Sequence, residues 1–263
     1  EEAGIKIPGG KRTLLVPARN FPVEVLFLRD DDIPESVASG VADVGIVGLN
    51  EVMEKRCPVG ILKKLGFGKC RLSLAIPQDI DYQDRNWFSG KKIATSYPGI
   101  LSDYLHKNGI VSDIHVITGS VEIAPGIRLA DAIFDIVSSG STLVSNRLKE
   151  VETVVESEAV LIGTDSISPE KRGILDELLF RFDSVQAADD KKYILMNVPQ
   201  KKLNDVLSVL PGIKSPTVMP LADKEWCSVH TVLDEKCFWE IINRLKTAGA
   251  EGILVLDIEK MIL

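Results

Sequence analysis

The stretch AIFDIVSSGSTL, residues 132–143, passes from an apolar run directly into five small residues. The apolar part is typical of a buried strand, and the small part is typical of a turn into a helix. At such a turn, backbone N–H groups can converge on an anion, the helix N-terminus adds about half a positive charge, and hydroxyls supply further donors. An ordinary turn with Ser or Thr as the helix N-cap is the open alternative. The stretch therefore favours a phosphate-binding loop made of Ser138, Ser139, Gly140, Ser141 and Thr142.

Two acidic residues accompany this loop. Asp135 lies inside the apolar run, where a carboxylate is costly unless it meets a metal ion, a sugar hydroxyl or a base. Glu122 lies thirteen residues earlier, beside a predicted strand end. Together they indicate magnesium or ribose binding next to the phosphate loop, while a solvated Glu122 without a role in the site remains an alternative.

Strands alternate with helices on both sides of this stretch. Towards the N-terminus, strands at 23–28 and 41–48 flank a helix that has Pro34 in its first turn and ends at Gly40. This rhythm predicts a βαβ unit with a parallel sheet. A second strand-rich block extends over residues 70–163, so the chain is predicted to be an α/β protein.

The last third of the chain has a different order of elements. Polar residues near 187–192 mark a boundary, and the pattern that follows predicts strand, helix, two strands, helix and strand. This β-α-β-β-α-β order over residues 188–263 is ferredoxin-like. Small domains of this kind bind ligands or pair with a second copy, but the fold alone does not determine a function.

Composition excludes several classes of protein. The net charge of -7 gives no general basic field for nucleic acid. The four cysteines show no C-x-x-C spacing and the three histidines are scattered, which predicts reduced thiols in a cytoplasmic protein without a zinc cluster. No apolar run approaches the roughly 18 residues that span a bilayer. Because the chain opens with EEAGIKI and without methionine, we expect an N-terminal piece to be missing.

Longer motifs resemble a known family. The run EIAPGIRLADAIFDIVSSGSTL, residues 122–143, closely resembles the signature of the ATP phosphoribosyltransferase family, which opens histidine biosynthesis. Further resemblance extends over essentially the whole chain and includes RDDDIPESV (29–37), ADVGIVGLNEV (42–52), GKCRLSLAIP (68–77), KKIATSYP (91–98), SPTVMPL (215–221) and GAEGILVLDIEKM (249–261).

The resemblance implies a fold and an activity. It implies a bilobed catalytic unit like a periplasmic binding protein, with lobe I at 1–74 and 159–185, lobe II at 75–158, and a regulatory domain at 188–263. Adenine N1 of ATP would attack C1 of phosphoribosyl pyrophosphate, pyrophosphate would leave, and Mg²⁺ would assist. Histidine would inhibit, and the long form would need no separate partner subunit and would form dimers or hexamers.

The resemblance also implies roles for particular residues. The loop residues 138–142 would hold the 5-phosphate, Asp135 would hold ribose hydroxyls, and Glu122 would assist through the metal or the ribose. Both acids would be the metal ligands. Four further residues would line the cleft, with a capping or packing role as the alternative: Arg29, Asp32, Thr95 and Tyr97. In the regulatory domain, Ile213 and Thr217 would line the histidine site.

Two departures from the family pattern stand out. The family begins with a strand and a glycine-arginine-leucine loop that reaches the active site, and nothing before Glu1 supplies them here. The signature has glycine six residues after its glutamate, where this chain has Arg128. Glycine there would allow either a backbone angle closed to other residues or room beside a substrate, so arginine is expected to lower the rate. The alternative is that its guanidinium pairs with a phosphate or with Glu122.

Two other classes of protein remain as alternatives. A bilobed protein that closes on a small molecule without chemistry has the same architecture, but it does not explain a phosphate loop combined with two acids. An amino-acid sensor built around the last domain accounts for only about seventy residues.

Overall fold

The computed structural model describes residues 2–8, 13–211 and 215–263. Its described residues form two compact units. The N-terminal unit comprises the described parts of 8–17 and 23–172, and the C-terminal unit comprises those of 1–7, 18–22 and 173–263. Among the helices that the structure describes, none has the length and apolar character needed to cross a bilayer.

The N-terminal unit alternates short strands and helices. Its elements are β1 (Leu15–Pro17), β2 (Glu24–Leu26), α1 (Ile33–Ala38), β3 (Val44–Gly48), α2 (Leu49–Lys55), β4 (Gly60–Lys64), β5 (Cys70–Pro77), β6 (Lys92–Thr95), α3 (Pro98–Lys107), β7 (Asp113–Val116), β8 (Ala132–Val137), α4 (Ser141–Ser145), β9 (Leu148–Ser157) and β10 (Ala159–Gly163). Helix α5 (Pro169–Ala188) begins in this unit and ends in the C-terminal unit.

A five-stranded sheet, in the order β7-β6-β8-β5-β9, carries the loop predicted to bind phosphate. Strand β6 pairs in parallel with β7 and β8, whereas β5 pairs antiparallel with β8 and β9. Because β6 and β8 are parallel, their carboxyl ends lie at the same edge of the sheet, the edge at which ligands bind in open α/β sheets. The turns after Thr95 and Val137 therefore lie at the same edge, with β8 extending past its last pair with β6, Thr95 with Phe134.

The two faces of this sheet are packed differently. One face carries large buried side chains, among them Leu72, Leu74 and Phe134. The opposite face carries several small ones, among them Ala75 and Ala94, which pack with Val121, Ala124 and Leu143 of the connecting segments. Successive residues of a strand face opposite sides, so Asp135 shares the second face with its neighbours Ile133 and Val137.

The strand pairing near the N-terminus corrects one prediction. Residues 23–28 and 41–48 were predicted to join one parallel sheet, but β2 pairs antiparallel with β1, and β3 pairs antiparallel with β10. Strand β10 lies between β3 and β4 in a three-stranded sheet. The partner of β3 is thus β10, which lies more than a hundred positions later in the chain, and not the neighbouring strand β2. Periodicity identifies a strand but does not choose its partner.

The predicted domain boundaries differ from the units of the structure. Strand β5 continues across the predicted boundary between residues 74 and 75. The structure groups residues 173–185, and the described parts of 1–7 and 18–22, with the C-terminal unit, whereas the sequence predicts that they belong to lobe I.

The C-terminal unit has the predicted ferredoxin-like order. After the boundary it contains β11 (Lys191–Pro199), α6 (Leu203–Val209), β12 (Thr217–Pro220), β13 (Trp226–Asp234), α7 (Glu235–Ala248) and β14 (Glu251–Asp257). The antiparallel sheet has the order β12-β13-β11-β14, and α6 and α7 pack on it through residues such as Val206, Phe238 and Leu245. The prediction from helical periodicity is confirmed for this unit.

Candidate active site

A cavity of about 220 Å³ lies where strand β8 ends. The turn between β8 and α4 forms one wall. Strand β8 contributes Asp135, and the 3-10 turn at Val121–Ile123 contributes Glu122. The cavity is lined by Glu122, Asp135, Ile136, Val137, Ser138, Gly140, Thr142 and Leu143. The structure thus brings together both predicted acids and three of the five predicted loop residues.

The loop is shaped by Gly140 and by two serines. Gly140 has φ +79°, a left-handed conformation that glycine adopts without steric cost. Ser139 and Ser141 are the two loop residues that do not line the cavity. They contact each other, with their hydroxyl oxygens 2.9 Å apart. Helix α4 has only five residues, so its macrodipole is smaller than the sequence argument assumed. The loop therefore offers individual N–H and O–H donors more than a strong helix terminus.

Asp135 and Glu122 influence each other electrostatically. Asp135 is partly buried, and its Oδ1 accepts a 2.8 Å hydrogen bond from the Ile136 N–H. Burial raises the pKa of Asp135 above its ordinary value, the Ile136 N–H opposes this shift, and the charge of Glu122 raises the pKa further. Two carboxylates that repel each other at one cavity would be stabilised by a cation.

Tyr97, at the start of α3, is linked to α2. Its hydroxyl donates to Glu51 Oε1 at 2.9 Å, and Asn50 Nδ2 donates to the hydroxyl at 3.3 Å. Burial and the charge of Glu51 hold the pKa of Tyr97 well above its ordinary value, and the charge of Asp135 adds to this effect. Tyr97 is therefore neutral at physiological pH and lies close enough to Asp135 to sense its charge.

Tyr97 and the three other residues predicted for the cleft are not among those that line this cavity. Thr95 is buried, and its Oγ1 accepts a 2.8 Å bond from the Tyr97 N–H, which corresponds to the alternative role of shaping a turn. The Arg29 side chain is 86% exposed and lies 3.5 Å from Asp31. Asp32 precedes α1, and its carbonyl accepts a bond from the Ser36 hydroxyl.

Two polar groups, one beside Tyr97 and one beside the loop, were missed by sequence reasoning. Glu51 is partly buried, and burial raises its pKa. Arg71 on β5 contacts both Glu150 and the Ser138 carbonyl. The sequence did contain a signal for Arg71, which directly precedes the apolar run LSLAI, just as Asp135 lies within another apolar run. A charged residue beside buried strand residues indicates a specific partner. Nothing local distinguishes Glu51, whose partner lies 46 positions away.

The metal and regulatory predictions have less structural support. Among the described residues, no three His, Cys, Asp or Glu side chains converge as a complete metal site. Magnesium is commonly held by one or two carboxylates together with substrate phosphates, so Glu122 and Asp135 fit that ion. Ile213 lies outside the described residues. Thr217 is exposed on β12, opposite His230 of β13.

Comparisons with known proteins agree with this architecture. The family model described as ATP phosphoribosyltransferase matches residues 29–184, and the model of the HisG C-terminal domain matches 188–260. An ATP phosphoribosyltransferase of Bacteroides fragilis is 70% identical over 263 residues, which cover 100% of this chain and 93% of that protein. One of Cytophaga hutchinsonii is 57% identical over 262 residues, covering 100% and 92%.

A solved structure supports the fold. The ATP phosphoribosyl transferase (HisG:HisZ) complex from Thermotoga maritima superposes with a TM-score of 0.59 at 24% identity, covering 69% of this chain and 87% of that one. Fold and relatives define an α/β enzyme that transfers pentosyl groups. The chain belongs to the ATP phosphoribosyltransferase family of histidine biosynthesis and, because it carries the C-terminal domain, to the long form. The predicted fold class and enzyme class are confirmed.

Proposed function

We propose that the enzyme joins N1 of the adenine of ATP to C1 of phosphoribosyl pyrophosphate and that the cavity beside residues 138–142 holds the phosphoribosyl group. The observation that carries this proposal is the shared cavity of Asp135, Glu122 and the loop. Loop N–H and O–H groups would bind the 5-phosphate, and the Asp135 carboxylate would accept hydrogen bonds from ribose hydroxyls.

The reaction requires no protein nucleophile. The N1–C1 bond forms while the bond from C1 to the pyrophosphate oxygen breaks, and the electron pair of that bond leaves with pyrophosphate. The residues would therefore contribute alignment of the two substrates. Bound Mg²⁺, held by Glu122 and Asp135, would neutralise charge on the leaving pyrophosphate.

Pyrophosphate release tests the activity. The enzyme is mixed with ATP, phosphoribosyl pyrophosphate and magnesium, and pyrophosphate is measured together with the nucleotide product. We expect release only when both substrates and the metal are present, and loss of release on chelation. Ligand-induced closure without pyrophosphate would instead support the alternative of a non-catalytic binding protein.

A substitution in the loop tests the site. Gly140→Val places a β-branched residue at φ +79° and should weaken binding of phosphoribosyl pyrophosphate by roughly 2–4 kcal/mol, if two or three charge-assisted bonds are lost. Gly90→Val is the matched control, because Gly90 has φ +71° and open space around it but is not part of the loop. Equal affinities of the two folded variants in calorimetry would reject the loop as the phosphate site.

For the C-terminal unit we propose binding of histidine and feedback inhibition. The ferredoxin-like order and the family support this role, with Thr217 and Ile213 as lining residues. We further propose a cytoplasmic homo-oligomer, either a dimer or a hexamer, which sedimentation velocity would distinguish.

A further inference from the structure

Arg71 lies at the junction of strand β5 and the phosphate loop. Its Nη1 donates to the Ser138 carbonyl at 3.2 Å. Its Nε and Nη2 donate to the two carboxylate oxygens of Glu150, at 2.6 and 2.5 Å. The guanidinium therefore connects the loop backbone to strand β9 through three directed hydrogen bonds.

Glu150 is itself held by neighbouring hydroxyls. Ser73 Oγ donates to Glu150 Oε1 at 2.7 Å, and Thr153 Oγ1 donates to the same oxygen at 3.1 Å. The bond from Arg71 and these hydroxyls hold the pKa of Glu150 at about 2. The carboxylate is thus ionised throughout the physiological pH range, and the Arg71–Glu150 pair does not depend on pH there.

The network lies next to the acid of the cavity. Ser73 of β5 is directly opposite Asp135 of β8 in the sheet register, and opposite residues of an antiparallel pair share one face. Arg71 is opposite Val137, the last residue before the loop. The contact with Ser138 therefore forms where the strand ends and the loop begins.

Fixing the Ser138 carbonyl fixes the next amide as well. A trans peptide is planar, so the direction of the carbonyl determines the direction of the Ser139 N–H in the same plane. That N–H is the first amide of the loop after the strand.

We propose that Arg71, oriented by Glu150, is a positioning residue that holds the Ser138–Ser139 peptide in the direction required for binding the 5-phosphate. This inference rests on the proposed function of the loop. Arginine suits the role because its planar fork can bond a carboxylate with two donors and a carbonyl with a third, which lysine cannot reproduce. Two other roles would be direct attraction of the substrate by the positive charge and simple stabilisation of the sheet.

Three variants separate these roles: Arg71→Lys, Arg71→Gln and Glu150→Gln. Arg71→Lys keeps the charge but loses the fork, so a positioning role predicts a weakening similar to that of Arg71→Gln, whereas charge attraction predicts little change. Glu150→Gln removes a negative charge and releases the guanidinium. Charge attraction then predicts tighter binding of phosphoribosyl pyrophosphate, and positioning predicts weaker binding.

The measurements are steady-state kinetics with each substrate varied and a thermal melt of each variant. We expect all three variants to raise KM for phosphoribosyl pyrophosphate roughly tenfold or more while KM for ATP changes by less than about twofold. Arg85→Gln is the matched control, since Arg85 bonds Asn108 in the same unit and does not contact the loop. We expect less than about a twofold change in either KM for this control.

The contrary results are equally specific. Equal increases in both KM values would assign Arg71 to general structure, and a lower KM for phosphoribosyl pyrophosphate in Glu150→Gln would assign it to charge attraction. If these variants do not fold, Ser73→Ala, which removes one bond to Glu150, should raise the same KM about twofold or more, and an unchanged KM would overturn the inference. Gly140→Val separates this failure from failure of the proposed site: if it weakens binding and the Arg71 variants do not, only the positioning role is wrong.

Discussion

Among single residues, Asp135 combines a cost to the fold with a proposed role in binding ribose. Its folded-state pKa is raised, so its contribution to stability is present below the unfolded-state pKa and is lost as the pH rises through the folded-state value. At neutral pH the ionised carboxylate therefore opposes folding. The proposed ribose contact uses this same ionised form.

Asp135→Asn should separate these two effects. We expect turnover to fall by roughly two orders of magnitude, because the amide carries no charge towards ribose or metal. The melting temperature at neutral pH should be equal or higher, and this gain should shrink as the pH falls through the raised pKa. Calorimetric melts at several pH values and initial rates measure both, and a wild-type rate would assign Asp135 to structure.

Arg128 stands where the family pattern has glycine, for which either a special backbone angle or room beside a substrate is the expected reason. Its φ is +60°, and its side chain is exposed, so the backbone angle is the need that this structure displays. A left-handed conformation costs a residue with a side chain about 1–2 kcal/mol. Its N–H donates to the Pro125 carbonyl at 3.0 Å, which ties the strained residue into the turn.

Arg128→Gly should stabilise the fold by roughly 0.5–1 kcal/mol. This is the free energy gained by relieving the backbone strain, reduced by the conformational entropy that glycine adds to the unfolded state. Arg128→Ala is the matched control, because it removes the same side chain but keeps the strain. Urea unfolding compares them, and equal stabilisation would refute backbone strain as the cause. Weaker binding of phosphoribosyl pyrophosphate by Arg128→Gly would identify the guanidinium as a phosphate ligand.

At the scale of elements, helix α3 is capped by a residue of α2. The Glu54 carboxylate accepts hydrogen bonds from the Gly99 and Ile100 N–H groups, at 2.8 and 2.9 Å. These are among the first N–H groups of α3, which have no partner within the helix. A negative charge there is also favoured by the helix dipole.

Glu54→Gln should destabilise the N-terminal unit by about 1 kcal/mol, because it removes the charge and one of the two acceptors. Asp103→Asn is the control: it breaks the Arg56–Asp103 pair, whose side chains are 55% and 72% exposed, and should cost less than about 0.5 kcal/mol. Denaturant unfolding measures both. Equal losses would mean that the cap contributes no more than an exposed ion pair.

The elements also show how far sequence reasoning extends. Local patterns predicted the ferredoxin-like order and the strand before the loop. They also singled out Asp135, because a carboxylate in an apolar run is visible without a structure. They did not predict the antiparallel pairing of β3 with β10 or the contact of Arg71 with Glu150. Those partners are 79 or more positions apart, and only the folded chain brings them together.

At the scale of the whole molecule, regulation is best tested by substitution. The C-terminal unit includes residues 173–187 and short segments near the N-terminus, so removal of residues 188–263 would divide a compact unit. Loss of inhibition in such a truncated protein would not distinguish a missing histidine site from a damaged fold. A single side chain on β12 is a cleaner target.

Thr217→Val should raise the histidine concentration for half-inhibition roughly two- to tenfold, through loss of one hydrogen bond. Thr247→Val on α7, which loses an intrahelical bond to the Asn243 carbonyl, is the control and should leave inhibition unchanged. Because coupling is reciprocal, phosphoribosyl pyrophosphate should shift histidine affinity in calorimetry. Unchanged inhibition in Thr217→Val would remove Thr217 from the site.

Small side chains on one face of the five-stranded sheet determine the distance between the sheet and the segment packed against that face. Ala75 and Ala94 of the sheet, and Ala124 of the segment that carries Glu122, occupy little depth between the two, so that segment can approach the strand that carries Asp135. The separation of the two acids is thus determined partly by residues that have no polar side-chain atoms. A larger apolar residue at one of these alanines would move one acid away from the other. Such a change would resemble ordinary variation of the core, yet under the proposed function it would alter substrate affinity.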